Sequence, residues 1–325
     1  MLPYSPDLGV LSRFELTMIL KTIAKYSTII MPLCAITGFI FPTFSNFVLG
    51  YLPQVLFFLM FFTLLGIDQK QLVRRIGTRY VWGFALFQSA LMSTVLTAVA
   101  YALGVRGDLL LAIAGLGATA PLFGSGAIVN AVGFDALLAM AKTIAATLVM
   151  PLALLVVLWI LGNKEAHLDF GLYFKRLLIF IVLPMVLAVM ARRAVAPTTL
   201  AQYYEKIRPF NIILLMMFPL GLMGGFRHTF DTDMMQALSL LGLSTVMALI
   251  FYFSAYVLYR RYGYENAIIS ALVCGGRNVL LAYTITTPFM GVLFLPLLGA
   301  YQLPSFSLPL LGKCMVKRHQ ALQKD

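Results

Sequence analysis

Lys142 and Arg277 raise the first chemical question in this sequence, because each is a cation inside an apolar stretch. Arg277 lies about 12 residues past the start of its stretch, or ~18 Å at the rise of a helix, which is too deep to snorkel easily to either end. Lys142 follows Asp135 by seven residues, ~10 Å in, so snorkelling back toward that end stays open for it. A buried charge is costly unless partnered. The 12 acids are Asp7, Glu15, Asp68, Asp108, Asp135, Glu165, Asp169, Glu205, Asp231, Asp233, Glu265 and Asp325, and none sits mid-stretch. The two cations must therefore be met by carbonyls at a helix break, by an anionic ligand, or, for Lys142, by release of its proton.

Uncharged polar residues cluster near both cations. Thr119, Ser125 and Asn130 surround an interruption at Pro121, Gly124 and Gly126, and Asn278 follows Arg277 beside Gly275-Gly276. Thr143 and Thr147 are four apart and share a helix face with Ala139 and Pro151. A single Ser or Thr in such a helix tends to bond the carbonyl four residues back. Taken together with Lys142 and Arg277, these residues are the candidate substrate or ion contacts.

Other chemistries find less support. Gly124-Ser125-Gly126 faintly resembles a nucleophile loop, yet His167, His228 and His319 lie in loops or the tail, leaving Ser125 without a base. A membrane aspartyl protease needs two buried acids. Cys34, Cys274 and Cys314 are scattered singly, whereas structural zinc sites use close-spaced pairs. We therefore expect no enzyme, metal centre or cofactor. Cys274, at the second interruption, is left open as a thiol contact to substrate.

The elements that must position these residues follow from composition. Of 325 residues, 61% are hydrophobic and 11% charged, which excludes soluble and disordered classes and indicates a membrane protein. Apolar runs give ten transmembrane helices, at 27–49, 52–67, 81–104, 109–132, 136–161, 177–195, 210–226, 237–259, 266–287 and 289–311. Residues 1–26 read as an amphipathic interfacial lead-in, 27–311 as one membrane domain and 312–325 as a cytoplasmic tail. With both termini inside, 17 cations face the cytoplasm against 5 outside, as the positive-inside rule requires. The net charge of +12 thus records topology and does not indicate a nucleic-acid surface. Arg192-Arg193 and Arg260-Arg261 read as headgroup anchors, and Trp82, Trp159, Tyr80 and Tyr259 as an aromatic belt.

The fourth and ninth runs are the interrupted ones, one in each half. Five spans per half make the second half inverted, giving a 5+5 repeat with repeat one at about 27–162 and repeat two at about 175–311. Paired Gly/Pro-interrupted spans in two inverted halves point to a transporter binding site, because unwound backbone at membrane depth is tolerated only where it is buried or lines a cavity. A non-transporting receptor or structural membrane protein is the reading from another class.

The run APLFGSGAIVNAVGFDALLAMAKTIAATLVMPLALLV, followed by CGGRN, resembles the bile acid/sodium symporter (BASS) family, part of a wider superfamily with arsenite and auxin carriers. The likeness extends to LFFLMFFTLLGIDQKQLVRRI and YQLPSFSLPLLGK and is best at Asp135 to Pro151 and in the G-x-R-N stretch. It implies a multi-pass protein of a bacterial inner membrane with panel and core domains and crossing fourth and ninth helices. It also implies secondary active transport of an organic anion with sodium, with the bilayer as partner and no obligate protein partner. Where sodium-coupled members carry Glu-x-Gly-x-Gln-Asn, this chain has Val273, Gly275, Arg277 and Asn278, and the Ser/Thr pair of the fifth helix becomes Ala139 and Thr143. Arg277, joined by Lys142, would then stand where sodium charge otherwise sits. Coupling to protons, to an exchanged anion, or none at all remain alternatives, as does efflux.

Overall fold

The computed structural model describes residues 26–162, 169–287 and 289–322. The expected lead-in therefore lies outside the described residues apart from Tyr26, as do His167 and the connection at 163–168. Among the described residues the secondary structure is helical, as an apolar chain that must pair its own backbone in lipid requires. In order the helices are α1 (Ser27–Ile40), α2 (Pro42–Leu65), α3 (Gln69–Ile76), α4 (Arg79–Ala102), α5 (Gly107–Ala118), α6 (Ser125–Val132), α7 (Ala136–Leu161), α8 (Phe170–Ala194), α9 (Pro197–Thr232), α10 (Met234–Tyr259), α11 (Tyr264–Gly275), α12 (Val279–Thr286) and α13 (Phe294–Leu322). Seven of them, α2, α4, α7, α8, α9, α10 and α13, are long and apolar enough to cross a membrane. This is an all-α, multi-pass membrane protein.

Local chemistry sets the boundaries. Asp68, Asp135, Asp169 and Asp233 cap α3, α7, α8 and α10 by accepting backbone N–H bonds, which satisfies donors that a helix start leaves free. Helix ends are met from the other side by arginines. Arg227 donates to Phe39 O near the end of α1, Arg192 to Leu65 O and Ile67 O after α2, Arg106 to Tyr101 O in α4, and Arg176 to Thr284 O in α12. Cations are favoured at these negative dipole ends.

The first expected boundary shifts. The chain breaks at Phe41 because Pro42 opens α2, and α2 then runs unbroken through Gly50 and Tyr51, where a turn was expected, and through Pro53. Prolines are tolerated there because neighbouring groups in a packed bundle re-satisfy the freed carbonyls. At the other end α13 continues to Leu322 through Lys313, Lys317 and Arg318, so most of the expected tail is helical.

α9 packs against α1 and α2, and α8 also packs against α2. Small residues permit this. Gly221 and Gly224 sit against Val48, Leu49, Leu52 and Ser45–Asn46 of α2, while Ser45 Oγ donates to Leu220 O at 2.6 Å. On the other side α4 packs on α5 and α7, α10 on α11 and α13, and α6 on α7. Contacts of α9 with α10 and α13, and of α1 with α13, join the two groups.

Candidate functional site

The two interruptions meet inside the bundle. α5 ends at Ala118 and α6 begins at Ser125; α11 ends at Gly275 and α12 begins at Val279. Between them Pro121 and Arg277 form an antiparallel backbone bridge. The Leu122 N–H donates to Gly276 O and the Asn278 N–H to Ala120 O, both at 2.7 Å. Unwound backbone is thereby paired with unwound backbone, and Pro121, which lacks an N–H, leaves no donor to place. All of residues 118–126 and 270–282 are buried.

Arg277 fastens this crossing. It is 3% exposed, and its Nη1 donates to Thr119 O at 2.7 Å, Gly117 O at 3.1 Å and Gln88 O at 3.2 Å. The first two lie at the C-terminal end of α5, where the dipole is negative. The third is made available by a π turn at Phe87–Leu91 of α4, in which the Met92 N–H bonds Phe87 O in place of Gln88 O. The guanidinium carbon lies 3.7 Å from the centre of the Phe251 ring, and Nη2 lies 3.8 Å from Cys274 Sγ. Carbonyls and an aromatic face thus take the place of a carboxylate. The opposite helix end is capped from α13: Tyr301 Oη and Ser305 Oγ donate to Gly275 O at 2.6 and 3.2 Å.

Lys142 forms a separate cluster and is fully buried. Its Nζ donates to Tyr80 Oη at 2.9 Å and Ser270 Oγ at 2.6 Å. It lies 4.4, 4.9 and 4.6 Å from the ring centres of Tyr80, Phe84 and Tyr259. Lys142 therefore does not snorkel out. Tyr80 and Tyr259 turn inward to the lysine and do not form the expected belt; Trp159, 80% exposed, remains on the surface. Arg192, expected as a headgroup anchor, is instead half-buried and bonded to the end of α2.

The other predicted residues divide. Ser125 and Thr143 share a 2.6 Å hydrogen bond that ties the start of α6 to α7. Thr143 Oγ1, Thr147 Oγ1 and Thr119 Oγ1 also engage the carbonyls of Ala139, Thr143 and Leu116. Asn278 caps α12 by accepting the Leu281 N–H at 3.2 Å. Asn130, by contrast, is exposed near the far end of α6, away from the crossing. Gly126 belongs to α6 and is not part of the break; a Cβ there would stand 2.7 Å from Met140 Cγ. Gly124 does flank the break, packed against Leu215 of α9.

Sequence reading missed Gln88, Phe251, Tyr301, Ser305, Tyr80, Phe84, Tyr259 and Ser270. The four-residue spacings Tyr80–Phe84–Gln88 and Asn266–Ser270–Cys274 carry a detectable signal, since each set lies on one helix face. Gln88 is fully buried with both amide atoms unpaired, and Arg277 Nε and Asn278 Nδ2 are unpaired too. Buried polar groups without a partner are costly.

The residues at this crossing do not suit bound sodium. Sodium takes oxygen ligands, but the carbonyls of Gly117 and Thr119 are committed to a fixed guanidinium, whose charge repels a second cation. Comparison with protein-family models and with curated proteins gave no match to this chain.

Proposed function

We propose that this protein is a secondary active carrier that moves an organic anion by alternating access, similar to bile acid/sodium symporters but with Arg277 in place of the coupling sodium. The observation that carries the reading is the antiparallel pairing of two unwound segments, residues 119–124 and 276–278, deep in an apolar bundle. A helix bundle needs no such breaks for stability, and unwound backbone at membrane depth is the feature carriers use to build a cargo site.

The lengths of the broken helices support an inverted repeat. α5 and α11 have 12 residues each, and α6 and α12 have 8 each. α1, α2, α8 and α9 fit a panel, and α4 to α7 with α10 to α13 fit a core. Ten crossings follow if α1 spans and each broken pair counts once, with both termini in the cytoplasm. Cargo would lie where α9 meets the crossing at Leu215 and Gly124. Arg277 Nε, Asn278 Nδ2 and the Gln88 amide supply unpaired donors suited to a carboxylate or sulfonate.

A thermal-shift screen of the purified protein against bile acids, keto acids, other carboxylates and sulfonated metabolites, with and without sodium, tests the reading. At least one anion should raise the melting temperature in a saturable, sodium-independent way. Stabilisation that requires sodium would contradict the role given to Arg277, and no response to any anion would contradict the substrate class.

A further inference from the structure

We infer that Lys142 is a proton-binding site that exchanges its proton with water at the basic end of α4 and α11. If the carrier reading above holds, on which this last step rests, the coupling ion is a proton.

The contrast between the two buried cations carries the inference. Arg277 donates to backbone carbonyls, which can only accept, so its surroundings are built for a permanent cation. The hydrogen-bond partners of Lys142 are two hydroxyls, Tyr80 and Ser270. A hydroxyl accepts from an ammonium and donates to an amine, so these partners serve both protonation states of Lys142. One lone pair on the amine needs one donor, and reversal at Ser270 orphans nothing. Ser270 Oγ now donates to Asn266 O at 2.6 Å, an interior carbonyl of α11 that keeps its helical bond when the hydroxyl turns away. Among the described residues no carboxylate pairs with Lys142 to be left unbalanced when the proton departs.

A polar ladder connects the site to the end of the bundle. Tyr80 Oη donates to Asn266 Oδ1 at 3.3 Å, and Asn266 Nδ2 donates to Tyr262 O at 2.8 Å. Tyr80 and Asn266 are half-buried, and Tyr262 is exposed beside Arg260 and Arg261. The titratable and charged groups around Lys142 are Tyr80 from α4, Tyr259 from α10, Tyr262 with Arg261 over its ring, and Cys274 from α11, beyond which lies Arg277. Glu265 in the first turn of α11 and Arg79 beside Tyr80 flank the outlet. On release the Nζ–H bond breaks and its electron pair stays on Nζ. Tyr80 Oη takes that proton while its own, turned away from Asn266 Oδ1, passes to solvent water, and nothing is oxidised or reduced.

The proton itself is the probe. The full chain in detergent micelles is subjected to a pH jump across neutrality, with release read by a soluble indicator dye. Wild type should release one proton per chain more than Lys142→Arg, which keeps a cation in the cage but holds its proton. Tyr80→Phe should release the same number more slowly. Equal release from wild type and a folded Lys142→Arg would overturn the proposal. If Lys142→Arg does not fold, lysine labelled with carbon-13 at Cε decides: the resonance absent from Lys142→Gln should move with the jump, and a fixed resonance overturns the idea. Neither measurement uses an organic substrate, so a missing proton and a missing anion response are separate failures.

Discussion

At the scale of single residues, a buried guanidinium with backbone partners behaves unlike a surface ion pair. Removing it in Arg277→Met leaves Thr119 O, Gly117 O and Gln88 O without their donor, and each orphaned group costs about 1–3 kcal/mol. The expected loss is about 3 kcal/mol or more, read as a lower melting temperature. Arg277→Lys should recover less than half of it, because a compact ammonium lacks the planar fork and stacks poorly on Phe251. Ser125→Ala removes one hydroxyl bond to Thr143 and should cost about 1 kcal/mol. Arg277 was legible in the sequence as a cation without a carboxylate, and carbonyls at a helix break were among the partners considered for it. Gln88 shares a helix face with Tyr80 and Phe84 in the sequence, but its carbonyl bond to Arg277 was not legible. An amide in an apolar helix carries no charge to flag it, and a π turn, which changes which carbonyl is free, has no sequence signature of its own. Asn130 misled for the opposite reason, being near the break in sequence but about a turn and a half of helix away in space.

At the scale of elements, the close approach of α4 to α5 depends on Gly117. A Cβ there would lie 2.8 Å from Ser93 Cα, which is backbone and cannot swing aside. Gly117→Ala should therefore lower the melting temperature by several degrees, whereas Gly50→Ala, with nothing within 4 Å, should be neutral. A pH dependence belongs to α3, which lies outside the spans. Backbone N–H donation from Gln71, with the Gln71 side chain, the Lys70 N–H and nearby Arg192, holds the Asp68 carboxyl below its ordinary value. A lowered acid contributes stability above its unfolded-state value and loses it as pH falls through the folded one. Asp68→Asn should thus melt below wild type at neutral pH, and the gap should close in acid; a constant gap would contradict the capping role. The acid positions were legible as caps only in part. Asp135 was recognised within a motif, and its hydrogen bonds to Leu137 and Leu138 together with the 3.1 Å ion pair to Arg75 give that motif a physical reason.

At the scale of the whole molecule, four acids cap helix starts and several arginines meet helix ends, so a chain with a surplus of cations balances part of it against dipoles as well as carboxylates. The membrane class and the two interruptions were legible because composition and Gly/Pro placement act locally. The boundary at Phe41, the length of α13 and the inward turn of Tyr80 and Tyr259 were not, because packing partners decide them. The proposed ten-crossing arrangement predicts that tags at the two ends of the chain react from the same, cytoplasmic face; opposite faces would require an odd number of crossings. The central claim is that an anion carrier can work with an arginine where a coupling sodium would be. Flux of a stabilising anion into proteoliposomes, with and without a sodium gradient, tests it most directly. The account predicts saturable flux unchanged by sodium and abolished in a folded Arg277→Gln variant. Flux that needs sodium, or that survives in that variant, would contradict it.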